Sequence, residues 1–207
     1  MIECADSIRV LHPLFHAGDG GSTPTSALHA RHLVFESCPK PHAVALVRAW
    51  HSRLPNCQAG PWTHAFRGHF QDRTYAVALW NNPSGRCLPR HWRELRRMAC
   101  SQDSPRNTAS RFLAWMVRWF KQHEPECEKL ISYQDTSVHK GTIYKAAGWI
   151  PAHTTTDRVR DRSKPRAGTQ RMYRWNINGA NADKVSKVRW EIACSNNVRE
   201  AAELETT

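Results

Sequence analysis

Two consecutive strand–loop–helix units constrain the fold of this 207-residue chain more than any other feature. In the first unit, a strand predicted near residues 92–99 leads through a polar loop, residues 101–110, into an amphipathic helix. In the second, a short strand at residues 129–135 precedes a helix near 138–147, which stops at Gly148. Strands that alternate with helices in this way are typical of an α/β domain.

Elements before and after these units extend the predicted sheet. A helix over about 41–53 precedes candidate strands at 64–70 and 74–80, and a further strand is expected near 171–177. The order of these elements predicts a single α/β domain with a mixed central β-sheet flanked by helices.

The strand that leads into the polar loop carries arginines on both of its faces. Side chains alternate between the two faces of a strand. Strict alternation therefore places Leu95, Arg97 and Ala99 on one face. Arg96 and Met98 then share the other face.

The ends of the chain differ in composition from its middle. Residues 1–27 include a run rich in glycine, serine, threonine and proline, so we expect a flexible leader there. Residues 28–177 contain the predicted elements and form the expected folded domain. Residues 178–207 are polar and are expected to form a tail, with room for one helix near 182–193.

The charge of the chain indicates the kind of partner it binds. Thirty lysines and arginines against eighteen acidic residues give a formal net charge of +12, and 22 of the basic residues are arginine. The guanidinium fork matches phosphate, so the composition favours nucleic acid or a phosphate-rich cofactor. No apolar run approaches the ~18 residues of a membrane span, so we expect no membrane partner.

The polar loop at 101–110 and the start of the next helix form a candidate anion site. The first turn of a helix exposes backbone N–H groups at its positive end. Asn107 or Thr108 is a natural N-cap, and arginines including Arg106 and Arg111 lie nearby. This pattern predicts a site for a pyrophosphate; the alternative is a capped helix with a solvated arginine face.

The second unit carries a carboxylate and a phenol. Asp135 ends its strand, Tyr144 lies in the following helix, and Gly148-Trp149 ends that helix. A phenol can donate a proton to a leaving group, and a carboxylate can act as a base or a metal ligand. The ordered set is more specific than any one of its residues.

Together these motifs resemble the GNAT acyltransferase superfamily and, within it, the Mom family of bacteriophages and prophages. The resemblance lies in residues 95–100, 107–113, 131–135 and 141–149, with a shorter stretch at 50–55. It implies a GNAT-like catalytic domain and an enzyme with an acyl-CoA-type cofactor, acetyl-CoA. It also brings Fe(II) into consideration as a metal.

The resemblance further implies a function. Mom-like enzymes convert adenine in DNA to N6-carbamoylmethyl (acetamido) adenine, which protects phage DNA from host restriction. The expected partners are therefore DNA and the acyl-CoA cofactor, and the expected location is the host cytoplasm. The resemblance leaves open whether the chain forms a homodimer. The alternatives are an ordinary GNAT N-acetyltransferase that acts on a small amine or a protein, and a non-catalytic DNA-binding protein.

The matching positions carry candidate roles from the family to this chain. Arg97 and Ser110 match cofactor-site positions, and Tyr144 matches the catalytic or cofactor-proximal tyrosine. His51 and Asp135 match positions tied to activity and to the metal. The predicted cofactor-binding set also includes Arg106, Asn107 and Thr108.

Three further features complete the predicted site. A basic loop is expected to follow the DNA backbone through Arg158, Arg160, Arg162 and Arg166, with Arg171 and Arg174 beyond it. Spare metal-ligand candidates are His64, His69 and His139. The loop at 103–110 contains no glycine, whereas the usual GNAT loop carries a glycine signature.

Overall fold

The computed structural model describes residues 28–51, 57, 61–85, 87–155 and 186–194. The leader expected at 1–27, the strand expected near 171–177 and the predicted basic DNA-binding loop lie outside these residues. In the part of the chain that is described, no helix is long and apolar enough to cross a membrane.

Seven strands form one mixed sheet, and three α-helices pack against it. Its spatial order is β1-β2-β3-β4-β5-β7-β6; the β4–β5 pair is parallel and every other neighbouring pair is antiparallel. In chain order the elements are β1 (Val34–Ser37), α1 (Lys40–Trp50), β2 (His64–Phe70), β3 (Arg73–Asn81), β4 (Arg93–Cys100), α2 (Thr108–His123), β5 (Lys129–Asp135), α3 (Thr142–Ala146), β6 (Ile150–Thr155) and β7 (Lys187–Ala193). The predicted α/β domain with a mixed sheet flanked by helices is confirmed.

Helices α1 and α2 cover opposite faces of the sheet. Val47 of α1 packs in a buried cluster with Val77 and Leu79 of β3. Phe112 and Phe120 of α2 belong to a second, larger cluster on the other face of the sheet. The apolar residues of α2 recur every three or four positions, which places them on one side of a helix.

Strand β4 contains an irregularity that the sequence analysis did not predict. Leu79 of β3 pairs with Arg97, but the next residue, Trp80, pairs with Leu95, so Arg96 is an extra residue. Such a bulge shifts the alternation of side chains by one position. Leu95 therefore packs in the α2 cluster while Ala99 packs in the α1 cluster, and the prediction that they share a face is wrong.

Strand β7 replaces the helix expected near 182–193. Residues Lys187–Ala193 are a strand that lies between β5 and β6, so this part of the expected tail belongs to the sheet. Val188, Trp190 and Ile192 alternate with charged residues and pack in the α2 cluster. This period of two is typical of a strand, whereas a helix would spread the same residues around its axis.

Strands β4 and β5 stay together for only part of their length. Their parallel pairing covers three residue pairs and reaches Leu95 and Ser132, whereas β4 continues to Cys100 and β5 to Asp135. The loops to α2 and α3 start beyond these two strand ends. Because ligands of α/β sheets bind at the carboxyl ends of parallel strands, this opening is the natural place for a site.

Candidate active site

Tyr144 lies at the opening between β4 and β5. Its hydroxyl is 2.9 Å from the hydroxyl of Ser132, the last β5 residue that pairs with β4. Ser132 in turn donates a hydrogen bond to the carbonyl oxygen of Leu95 over 3.3 Å. A serine hydroxyl has one hydrogen and can rotate, so it can donate either to that carbonyl or to the phenol oxygen. Two successive hydrogen bonds thus link Tyr144 through Ser132 to β4.

Two effects act in opposite directions on the acidity of Tyr144. Burial raises the pKa of the phenol, because the phenolate would lose its hydration. The Ser132 hydroxyl lowers the pKa of the same group, because a hydrogen bond stabilises the anion. Burial is the larger effect, so Tyr144 is a neutral phenol that holds its proton at neutral pH.

Aromatic rings fix the plane of the Tyr144 ring. The ring stacks on Trp190 of β7, with 5.3 Å between centroids and an interplanar angle of 11°. Trp149 packs against it edge to face at 5.7 Å. Gly141, the N-cap of α3, has a φ of 73° and lies against Trp190. The phenol is therefore held in a packed aromatic pocket rather than on a mobile surface.

His51 ends helix α1 and is brought close to Arg97 and His139. Burial is the main cause that lowers the pKa of His51 to about 4, and the positive charges of Arg97 and His139 lower it further. At neutral pH the imidazole is consequently uncharged, and one of its ring nitrogens is able to accept a hydrogen bond. The structure thus places His51 and Arg97, two residues that the sequence analysis selected, in one neighbourhood.

Asp135 organises the turn that follows β5. Its Oδ1 accepts hydrogen bonds from the backbone N–H of Ser137 at 3.0 Å and from the Ser137 hydroxyl at 2.6 Å. Its backbone oxygen accepts from the N–H of His139 at 3.1 Å. Asp135 therefore positions the segment that carries His139, which is the one spare histidine that lies near the predicted site.

The other two spare histidines are engaged elsewhere. His64 Nε2 lies 2.8 Å from a Glu124 carboxylate oxygen. His69 Nε2 lies 3.3 Å from Glu36 on the first strand. Both rings are thus paired with carboxylates, whereas His139 is the spare histidine whose charge acts on His51.

The described residues do not form a metal centre. No three His, Cys, Asp or Glu side chains converge in the parts of the chain that the structure describes. Asp135 already accepts two hydrogen bonds at one carboxylate oxygen, and the guanidinium of Arg97 acts on His51. A cation beside an imidazole disfavours a second positive charge. These side chains therefore do not fit an Fe(II) site.

The predicted cofactor residues lie at the start of α2. Asn107 is the N-cap and adopts a left-handed conformation with a φ of 68°, and Arg106 beside it is exposed. Ser110 is half-buried and donates from its hydroxyl to the Asn107 carbonyl at 3.2 Å. Thr108 is 2% exposed and donates to Pro105 at 2.6 Å, so its hydroxyl shapes the loop from within.

Arg97 lies on β4, directly after the extra residue Arg96. Its Nη1 donates to the carbonyl oxygen of Arg96 over 2.6 Å, and the side chain is half-buried. The bulge therefore decides which way the guanidinium faces, and it directs the charge to His51. The structure joins Arg97 to the His51 side of the opening.

The Mom protein family matches residues 32–204. The chain belongs to the Mom protein family. The match extends through β7, in agreement with the place of that strand inside the sheet. No curated protein sequence matches the chain significantly.

Solved structures similar to this Mom family member are acetyltransferases. The chain is similar to the ribosomal-protein-S5-alanine acetyltransferase of Vibrio fischeri, with a TM-score of 0.53, 10% identity, and 80% of this chain and 94% of that chain covered. It is also similar to the ribosomal-protein-S18-alanine N-acetyltransferase of Escherichia coli, with a TM-score of 0.51 and 12% identity, and with 79% of this chain and 94% of that chain covered. A third similar structure is a GNAT-family acetyltransferase of Streptococcus pneumoniae, with a TM-score of 0.50 and 9% identity, and with 78% of this chain and 98% of that chain covered. These similarities establish the GNAT fold.

Three side chains of the site were not predicted from the sequence. Ser132 and Gln134 are buried polar residues of β5, and Trp190 lies on β7. A signal for the first two existed, because Ile131, Tyr133 and Asp135 share one face and leave both on the opposite one. Trp190 carried no such signal, because its partner Gln134 is 56 positions away in the sequence.

Proposed function

We propose that this protein modifies adenine in DNA, replacing one hydrogen of the N6 amino group with a carbamoylmethyl group. The observation that carries the proposal is membership of the Mom family over residues 32–204. The GNAT fold supports the coarser assignment to the acyltransferases. The altered base would then protect phage DNA from host restriction enzymes.

The proposed place for an acyl-CoA-type cofactor, acetyl-CoA, is the opening between β4 and β5. The first turn of α2 offers backbone N–H groups, and Arg106 and Ser110 lie beside them. Arg97 lies on the β4 wall of the opening. When bound, such a cofactor would supply a two-carbon unit as a thioester with a thiolate as the leaving group; forming the N–CH2 bond and the amide of the carbamoylmethyl group also requires a two-electron oxidant and an amine or ammonia as nitrogen donor. These three side chains would hold its phosphates and orient it.

The protein's own groups can hold a proton and orient the amino group where the reaction needs them. Tyr144 is a neutral phenol at the opening, so it holds a proton for a departing anion. His51 is uncharged at neutral pH, so its imidazole can accept a hydrogen bond from the adenine amino group. Asp135 acts on the loop between these two groups. In this proposal Tyr144 is the acid, His51 orients the amino group, and the proton that the amino group loses passes to water.

DNA is the proposed acceptor because of charge and chemistry together. The net charge of +12 favours a polyanion. The N6 group of adenine is out of reach inside a duplex, so the base must be flipped out or unpaired. The basic loop with Arg158, Arg160, Arg162 and Arg166 is proposed to bind the phosphates on either side of the base.

The test is mass spectrometry of nucleosides from plasmid DNA of cells that express the protein. We expect a new adenine nucleoside heavier by one carbamoylmethyl group. Tyr144→Phe is the matched variant, because it keeps the stacked ring and removes only the hydroxyl. The product should fall strongly with Tyr144→Phe and with Asp135→Ala. Unmodified adenine despite soluble wild-type protein would contradict the proposal.

An ordinary N-acetyltransferase is the second candidate, favoured by the structural similarity to two ribosomal-protein alanine acetyltransferases. The two candidates differ in what they need. Acetyl transfer from acetyl-CoA to a free amine or protein N-terminus, with no DNA present, would support the second candidate. A requirement for DNA would support the first.

A further inference from the structure

One buried amide, that of Gln134, joins two parts of the candidate active site. Its Oε1 accepts a hydrogen bond from the indole Nε1 of Trp190 at 2.6 Å, and its Nε2 donates to the carbonyl oxygen of His139. The indole can only donate and the carbonyl can only accept, so these partners fix the orientation of the amide. Gln134 is 6% exposed, and both ends of its amide are in use.

The Trp190 end of this bridge reaches Tyr144. The indole stacks on the Tyr144 ring with centroids 5.3 Å apart and planes 11° apart. A rotation of the indole would therefore move the plane against which the phenol packs. The Cβ of any residue other than glycine at position 141 would meet both Trp190 and the Gln134 Oε1. The bridge is thus packed as well as hydrogen-bonded.

The other end of the bridge holds the loop between β5 and α3. The backbone of His139 is held at both of its polar groups. Its N–H donates to the Asp135 carbonyl at 3.1 Å, and its carbonyl accepts from Gln134. The imidazole of His139 is close enough for its charge to act on His51. One amide therefore determines where the His139 loop stands relative to the Tyr144 ring.

We propose that Gln134 is a positioning residue of the reaction, which holds the Tyr144 ring and the His139 loop in a fixed relation through Trp190 and the His139 carbonyl. The reaction itself rests on the proposed function, but the bridge does not. A displacement of about 1 Å in a reacting group can cost up to about 100-fold in rate. Gln134 would therefore act on turnover without touching substrate.

Two variants separate the two ends of the bridge. Gln134→Met keeps the size and removes both hydrogen bonds, so it should disturb both Tyr144 and the His139 loop. Trp190→Phe keeps an aromatic ring beside Tyr144, makes that ring smaller and removes its N–H, so it should disturb Tyr144 and leave the His139 loop in place. Gln122→Met makes the same change at an exposed position of α2 and is the matched control.

The measurements are turnover and KM on plasmid DNA, ring-proton chemical shifts of Tyr144, and hydrogen exchange of residues 136–140. For Gln134→Met we expect turnover per folded molecule to fall about 10- to 100-fold with KM nearly unchanged. The Tyr144 shifts should change and exchange in the loop should quicken. Trp190→Phe should change the Tyr144 shifts and leave the loop's exchange as it is. The control should change nothing.

Folded Gln134→Met with wild-type turnover, Tyr144 shifts and loop exchange would overturn the proposal. If that variant does not fold, Trp190→Phe decides through turnover, because the smaller ring by itself changes the Tyr144 shifts; unchanged turnover of Trp190→Phe would overturn the proposal. A wild-type protein that leaves DNA unmodified would contradict the proposed function alone. The shifts and the exchange need no substrate, so they would still decide whether Gln134 holds both groups.

Discussion

Asn107 stands at the N-cap of α2 with a φ of 68°, in the left-handed region that most side chains avoid. Its loop carries no glycine, although the usual GNAT loop has a glycine signature. Asparagine tolerates this conformation better than most residues, because its short polar side chain can bond locally. One asparagine thus supplies the backbone turn for which a glycine is otherwise used.

Ser132 is the residue through which we expect the acidity of Tyr144 to be adjusted. In Ser132→Ala the hydrogen bond that stabilises the phenolate is lost, so the pKa of Tyr144 should rise. Because the phenol acts in its protonated form, the loss of activity at high pH should move to higher pH. Turnover should fall at neutral pH, because the phenol is a weaker acid.

Ultraviolet titration, with Tyr144→Phe subtracted, measures the pKa of Tyr144 directly. Ser110→Ala is the control, because that hydroxyl bonds the Asn107 carbonyl at the start of α2 and not the phenol. An unchanged Tyr144 pKa in Ser132→Ala would mean that the hydrogen bond has no part in the acidity of the phenol.

At the scale of elements, helix α3 begins and ends on glycines in the left-handed conformation. Gly141 has a φ of 73° and lies against Trp190 and Gln134. Gly148 has a φ of 80°, and a Cβ added there would meet no atom within 4 Å beyond its chain neighbours. The two positions share the same backbone strain and differ in their surroundings. The start of the helix is packed, and its end is open.

This difference predicts unequal effects of alanine at the two positions. Gly148→Ala should cost about 1–2 kcal/mol of unfolding free energy, the strain of a left-handed residue with a Cβ. Gly141→Ala should cost distinctly more, because its Cβ would also collide with the indole. Urea unfolding of both variants measures the difference. Equal losses would show that the indole yields without cost.

The separation of β4 from β5 beyond Leu95 also concerns whole strands. The bulge at Arg96 turns Leu95 toward α2 and Arg97 toward His51, and the pairing with β5 ends at Leu95. Opening and bulge therefore occur at the same point of β4. Tyr144, Ser132 and the extra residue meet there, which is why the site forms at this place in the sheet.

At the scale of the whole molecule, charge is the property most relevant to DNA. With a net charge of +12, we expect binding that weakens steeply with salt. Changing both Arg158 and Arg160 to alanine should reduce the magnitude of the salt slope by up to about 2, one for each lost phosphate contact. Fluorescence anisotropy of a labelled duplex at several salt concentrations measures this slope.

The control for the salt slope is Arg31→Ala, an exposed arginine before β1 that bonds its neighbour His32. This change lowers the net charge without altering the basic loop. A slope that falls equally for the control would mean that net charge matters and the loop does not. A slope unchanged in the double variant would contradict the assignment of the loop to DNA.

Local periodicity determined much of this fold. The strands at 64–70 and 129–135 and the start of α2 at Asn107 follow from patterns that extend over only a few residues. Helix α3 is shorter than predicted, because the residues that precede Gly141 form the turn organised by Asp135. The sequence could indicate Tyr144 and Asp135 as candidates because they are close together in one motif.

Only the tertiary structure decided the bulge in β4, the parting of β4 from β5, and the place of β7 inside the sheet. Each depends on which strand lies alongside, and the periodicity of one segment does not reveal which distant segment pairs with it. The bridge from Trp190 through Gln134 is of the same kind, since it joins residues 56 positions apart. The sequence by itself determined most of the elements and the chemical groups, and long-range packing decided which of those groups meet.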